Sequence, residues 1–293
     1  MDVLRWSERP QPRNPILVCA FKGWNDAGES ASAAVGLLIA NLEARQVAEI
    51  DPEEFFDFTA VRPTIRLEEG LARVVEWPTT TIHIAEIPGA DRDLVLLQGV
   101  EPSLRWRGFC EAILELARVL GVEMVVSLGA LLADIPHTRP TSITGIASDE
   151  KLVERMGLSR SNYEGPTGVV GVLQSACAAA DLPAVSLWAS VPHYVAAATP
   201  NPKAALALVR KVEGIAGVAV DAGELEDATV DYERQVTAAV ASDADVRAFV
   251  EQLEEAMDEQ DDGTPPAPRI PSGDTIARDF QRFLRQQNPE PDR

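Results

Sequence analysis

The sequence predicts an α/β fold with a mixed central sheet, helices on both faces and an α-helical C-terminal extension. Over about the first 215 residues, short apolar runs alternate with longer helical patterns, as in chains whose sheets carry helices on both faces. A hairpin pattern at 64–77 predicts a mixed rather than purely parallel sheet. We therefore expect two parts: an α/β domain over 1–220 and an acidic helical extension over 221–293.

The individual strands follow from apolar runs and turn residues. The continuous apolar run 16–21 is led by Pro15 and predicts a strand buried on both faces. Segments 64–67 and 71–77 flank Glu-Glu-Gly, which predicts a β-hairpin. Further strands are predicted at 81–87, 93–98, 123–128 and 184–190.

The helices follow from apolar periodicity and capping residues. A helix opening at Pro102 is predicted to end at Leu120, where Gly121 is a suitable C-cap. Ser242 is a plausible N-cap for the second helix of the extension. Predicted helices lie at 30–44, 102–120, 168–180, 202–215, 223–241, 242–260 and 272–287, with a Pro-rich linker at 261–271. The last helix is amphipathic and is expected to dock through Ile276, Phe280, Phe283 and Leu284.

Net charge limits the classes of partner that the protein can bind, and cysteine usage indicates its compartment. The formal net charge is -20, which argues against nucleic acid and anionic membranes as partners. Between residues 221 and 262, 15 acidic residues against two arginines give -13. This segment is either an interaction arm for a basic partner or a solvated helical face. Three cysteines in apolar runs, and no apolar run of about 18 residues, indicate a cytoplasmic protein.

The loop after the first buried strand is the first candidate site. The spacing from Gly23 to Gly28 and Ser30 matches a phosphate-binding loop, but Glu29 stands where that loop needs lysine. We therefore favour a tight turn in which Asn25 or Asp26 caps the next helix. Trp24, in the same loop, is a candidate interface residue, because exposed tryptophans are enriched at protein interfaces.

Two Pro-His pairs form the second candidate site. Both follow predicted strands, where open α/β sheets usually bind ligands. One crevice is therefore predicted to collect His137, Arg139, Glu164, His193 and Tyr194. The crevice would then bind a nucleoside- or phosphate-like ligand or form the active site of a hydrolase- or phosphorylase-like enzyme. Alternatively, these residues stabilise loop structure or a subunit contact. No metal or cofactor is expected, since CxxC and paired-histidine spacings are missing.

Five separated segments together carry a family resemblance. They are residues 21–28, 98–106, 128–140, 162–168 and 186–194. In this order and spacing they resemble the PAC2 family, the proteasome assembly chaperone 2 type, in its actinobacterial branch. The resemblance covers roughly residues 15 to 215.

The resemblance implies a nucleoside-phosphorylase-like topology and a homo-oligomer, with a trimer as one candidate. For eukaryotic members it implies chaperoning of 20S proteasome α-subunit assembly, and it brings no catalytic residues. The expected function is therefore a non-catalytic scaffold or assembly chaperone, with itself, proteasome subunits or another protein as partner. Some members dock on proteasomes through a hydrophobic–Tyr–any-residue C-terminus. This sequence ends in Glu-Pro-Asp-Arg, so docking by that route is not expected.

Overall fold

A computed structural model describes residues 3–68, 72–147, 163–195 and 199–261. Within these ranges an eight-stranded sheet has the order β1-β3-β6-β7-β2-β8-β10-β9, and β4 and β5 form a separate pair. The strands are β1 (Leu4–Trp6), β2 (Ile16–Lys22), β3 (Arg45–Ile50), β4 (Thr64–Glu68), β5 (Ala72–Glu76), β6 (Thr80–Ala85), β7 (Leu94–Val100), β8 (Met124–Ala133), β9 (Ile143–Ala147) and β10 (Ala184–Pro192).

The expected mixed sheet is confirmed, but the reason given for it is wrong. Strands β7, β2, β8 and β10 are parallel, whereas β6 joins β7, and β9 joins β10, in antiparallel register. The β4–β5 hairpin pairs only with itself in the described structure. The mixed character therefore comes from strands near the sheet edges.

Among the described residues, two helices cover each face of the sheet. The helices are α1 (Ser30–Asn41), α2 (Trp106–Leu120), α3 (Val169–Ala179), α4 (Pro202–Ala216), α5 (Gly223–Ala241) and α6 (Ala244–Asp261). Alternate residues of β2 enter opposite cores, so that Val18 packs with α1 and α4 while Cys19 packs with α2 and α3. Beyond these layers α5 packs on α4, and α6 packs on α5.

Capping residues account for several helix ends. Gly121 ends α2 with φ 67°, a left-handed conformation that glycine adopts at low cost. Asn201 begins α4, and its side chain accepts a hydrogen bond from the Ala204 amide at 3.0 Å. The expectation for Ser242 is wrong: its hydroxyl donates to the Ala239 carbonyl, while Asp243 accepts from the first amides of α6.

Parts of the extension fall outside the described residues. The linker predicted beyond Asp261 lies outside them and stays a prediction. The same holds for the docking helix predicted at 272–287, with Ile276, Phe280, Phe283 and Leu284. Within the described part of the chain, no helix is both long and apolar enough to cross a bilayer.

Candidate functional site

The predicted binding residues other than Glu164 lie on segments that leave the carboxyl ends of the parallel strands. Trp24, Asn25 and Asp26 follow β2, His137 and Arg139 follow β8, and His193 and Tyr194 follow β10. Because β2, β8 and β10 run parallel, these loops meet at one edge of the sheet.

His137 and Tyr194 form the centre of the second candidate site. His137 is 2% exposed, and its backbone amide donates to the Tyr194 hydroxyl at 2.7 Å. Its Nδ1 lies 2.9 Å from that hydroxyl, and its Nε2 lies 3.1 Å from Oγ1 of Thr237. Burial, reinforced by nearby Lys203, lowers the pKa of His137, so the neutral imidazole is favoured. Burial also raises the pKa of Tyr194 to about 12.

The helical extension fills the crevice that these residues line. Tyr232 of α5 accepts a buried hydrogen bond from Asn201 at 2.9 Å. Phe249 of α6 stacks edge-on against His193, with ring centroids 5.5 Å apart. The space left beside His137, Asn201 and Tyr232 is about 10 Å³. That volume holds at most one water molecule.

Ion pairs join the extension to the body of the domain. The Arg139 guanidinium donates two hydrogen bonds to Asp258, at 2.8 and 2.7 Å. These bonds lower the pKa of Asp258. Lys203 lies 2.5 Å from a carboxylate oxygen of Glu233 on α5. Part of the acidic segment thus pairs with cations of its own chain.

The structure assembles the predicted crevice only in part. His137, Arg139, His193 and Tyr194 lie together, whereas Glu164 is exposed ahead of α3, and the described contacts do not bring it to this group. His193 Nδ1 lies 3.0 Å from Oδ1 of Asp134, at ion-pair distance but without hydrogen-bond alignment.

Two carboxylates hold the first candidate loop: Asp26 within the loop and Glu101 after β7. Asp26 Oδ1 accepts from the Ala31 amide at 2.7 Å, so Asp26 caps α1 as expected. Asn25 is buried and donates to Oε1 of Glu101 at 2.6 Å. The same oxygen accepts from the Val169 amide at 2.8 Å. Glu101 therefore occupies the N-terminus of α3, where an anion would otherwise bind.

Glu101 is a residue that sequence reasoning did not single out as a site residue. It lies in the family-like segment 98–106, directly after β7. Its two partners, Asn25 and Val169, are 76 and 68 positions away along the chain. Pairing over such distances leaves no local pattern from which it could be predicted.

Exposed apolar side chains gather at the same carboxyl edge. The β4–β5 hairpin leaves the sheet between β3 and β6, next to the end of β7. Ile65 and Leu67 are 63% and 60% exposed, and Val75 lies directly opposite Ile65. We call the following set the apolar edge surface: Trp24, Ile65, Leu67, Val75, Trp77 and Leu104.

A cleft at the opposite, amino-terminal edge contains none of the predicted site residues. Its volume is about 580 Å³, and it lies between the end of α1, the end of β6 and Ala219. Arg45 on its wall pairs with Glu8 and Glu86. No cluster suited to a metal ion occurs among the described residues.

Fold and site together define a layered α/β protein whose strand-end crevice is closed by its own C-terminal helices. A family model described as PAC2 family matches residues 20–240. The chain belongs to the PAC2 family.

Solved structures agree with this assignment. A PAC2 family protein from Streptomyces avermitilis MA has 46% identity and a TM-score of 0.76, covering 80% of this chain and 99% of that one. A proteasome-assembly chaperone homologue from Mycobacterium tuberculosis has 46% identity, the same coverages and a TM-score of 0.74. PbaB, an archaeal proteasome activator from Pyrococcus furiosus, has 19% identity and a TM-score of 0.66 over 80% and 97% of the two chains, which shows the fold alone. A search of curated proteins found no significant match.

Proposed function

We propose that this chain is a non-catalytic, homo-oligomeric assembly factor for proteasome subunits that works in the cytoplasm. Membership of the PAC2 family and the similarity to a mycobacterial proteasome-assembly chaperone homologue support the proteasome link. The net charge of -20 is unsuited to nucleic-acid or anionic membrane partners. A protein partner is therefore the class that fits best.

The apolar edge surface is the observation that carries this proposal. A two-stranded hairpin is marginally stable unless its apolar face packs against something. In the β4–β5 hairpin Ile65, Leu67 and Val75 share one face, and all three are exposed. Concentrated exposed apolar side chains are typical of protein-binding surfaces. We propose that this surface serves self-association, subunit binding or both.

The alternative, a small-molecule binder or hydrolase- or phosphorylase-like enzyme, finds less support. Ligand pockets usually measure several hundred Å³. The crevice beside His137 retains about 10 Å³, because Tyr232 and Thr237 of α5 pack there. Phe249 of α6 packs against the neighbouring His193. This alternative stays a prediction. A thermal-shift response to a nucleoside or sugar phosphate would favour it.

An assembly reaction with purified proteasome α- and β-subunits tests the proposed function. The chain is expected to raise the rate of 20S assembly, and Leu67→Ser to reduce that effect at least about fivefold, as expected for a central apolar contact. Val230→Ser is the matched control, because Val230 is 62% exposed on α5, outside the apolar edge surface. No effect of the unaltered chain, or equal effects of both variants, would count against the proposal.

A further inference from the structure

We infer that α6 is a releasable lid over Arg139, His193 and Tyr194, opening as a unit while α5 stays in place beside His137. This inference goes beyond the proposed function, since it concerns motion within the chain. It rests on how differently the two helices are attached to the body of the domain.

The attachment of α6 is mainly polar and lies near the surface. Asp258 receives both hydrogen bonds from Arg139, and the hydroxyl of Thr138 bonds to Glu254. The Arg139 and Asp258 side chains are 33% and 59% exposed. Solvent therefore reaches both sides of this link.

The apolar attachment of α6 is small. Among residues 244–259, whose side chains are described, Val250 alone is buried. Phe249 contacts the rings of His193 and Tyr194 but stays 36% exposed. Segments with few buried contacts open locally at lower free energy than the core.

The attachment of α5 is deeper. Tyr232 is buried and accepts a buried hydrogen bond from Asn201, and α5 packs directly on α4. Val236 and Val240 are buried in a cluster that also contains Val250 of α6, so their burial does not distinguish the two helices. Lys203, itself only 14% exposed, pairs with Glu233. We therefore expect α5 to remain bound when α6 lifts.

The charge distribution within α6 adds to this difference. Asp258 and Glu259 lie near the carboxyl end of the helix, where the helix dipole disfavours negative charge, and the last turn contains no basic residue. Arg139 supplies the missing positive charge from the body of the domain. Without that guanidinium the end of α6 keeps its unfavourable charge, so Arg139 acts as the latch.

Hydrogen exchange of the full chain, followed by mass spectrometry, tests the lid. In the unaltered chain, exchange at 244–259 is expected to be faster than in α5, β8 and β10. Arg139→Gln should speed exchange at 244–259 about tenfold, the order expected for loss of a charge-assisted pair, and leave β8 and β10 unchanged. Asp258→Asn should act in the same direction but less strongly, because it also removes an unfavourable charge from the helix end. The double variant should exchange no faster than Arg139→Gln, since that change alone already removes the pair with Asp258, together with the longer 3.6 Å pair with Glu254.

Arg234→Gln is the matched control. Arg234 pairs with Asp231 within α5, and none of its described contacts links α6 to the domain. The Arg234→Gln variant should exchange at 244–259 at the same rate as the unaltered chain. The inference is overturned if Arg139→Gln and Asp258→Asn leave exchange at 244–259 unchanged. It is also overturned if the exchange rate at 244–259 equals that of β8 and β10 in the unaltered chain and in all variants. Exchange of the unaltered chain at 244–259 as fast as in an unstructured peptide would overturn it too.

Discussion

At Gly129, strand β8 passes directly against the indole of Trp188 on β10. A Cβ atom at position 129 would lie 2.6 Å from the ring. The two residues are register partners, and the indole also donates to the hydroxyl of Ser186. The strand pairing and the hydrogen bond therefore both hold the indole in this position.

We predict that Gly129→Ala lowers the free energy of unfolding by about 1–3 kcal/mol, as expected for overpacking. The change should appear as a lower midpoint in thermal or urea unfolding. Gly214→Ala is the control, because a methyl group added at this position of α4 would have no atom within 4 Å. That variant should be neutral or stabilising. Equal stability of the Gly129→Ala variant and the unaltered chain would contradict this account of the contact.

His137 predicts a pH dependence of stability. Its folded pKa is lowered by burial and by Lys203, with smaller opposing effects from Glu254 and Glu233. The unfolded imidazole, with a pKa of about 6.5, therefore binds protons at a pH where the folded one does not. The free energy of unfolding should fall as the pH drops from about 7 to about 5.

A His137→Gln variant isolates this contribution. Glutamine retains hydrogen-bonding capacity toward Tyr194 and Thr237 but does not titrate. The difference in unfolding free energy between the two proteins should narrow as the pH falls, when followed by urea unfolding at several pH values. His83, whose pKa is also lowered by burial, is present in both proteins and cancels in the comparison. A difference that does not change with pH would show that His137 does not titrate in this way.

At the scale of elements, Glu101 ties three segments together. One carboxylate oxygen joins the end of β7 to Asn25 after β2 and to the first amide of α3. A Cβ at Gly168 would lie 2.5 Å from that oxygen, so the three segments meet without spare room.

We predict that Glu101→Ala destabilises the fold by about 1–3 kcal/mol, because a buried amide donor and a helix N-terminus both lose their acceptor. Hydrogen exchange should rise first at the start of α3 and in the 23–26 loop. Glu111→Ala, at an exposed position of α2, serves as control and should stay within about 0.5 kcal/mol of the unaltered chain. Unchanged exchange at α3 in the Glu101→Ala variant would refute this role.

Elements with strong local signals were predictable from sequence. The run that forms β2 is apolar and buried throughout except at Lys22, and α2 ends at Leu120 because Gly121 adopts the left-handed conformation. Strands β1, β3 and β9 were not predicted, and β1 is only three residues long. Segment 45–50 mixes charged and apolar residues, and 143–147 lies in a segment predicted to be a long loop, so only their pairing partners define them.

Only one rule predicted the candidate site from sequence: loops that follow parallel strands meet at the carboxyl edge of the sheet. That rule correctly placed His137, His193 and Tyr194 together. It could not show that Phe249 and Asp258 cover them, because the Arg139–Asp258 pair spans 119 positions. Charge alone marked the extension as acidic, without indicating that it packs against its own domain.

At the scale of the whole molecule, the division into 1–220 and 221–293 stays a prediction. The contacts of α5 with α4, together with the buried Tyr232, are those of a further layer on the α/β domain. We propose that the described part of the extension, up to Asp261, acts as such a layer and that partners are met elsewhere, at the apolar edge surface.

Native mass spectrometry of the full chain with unassembled proteasome α- and β-subunits tests this account most directly. We expect a homo-oligomer, at a multiple of 31.6 kDa, and mixed complexes with those subunits. Leu67→Ser should weaken one or both species, whereas Val230→Ser should leave them intact. A monomer at 31.6 kDa that forms no complex with either subunit would contradict the account.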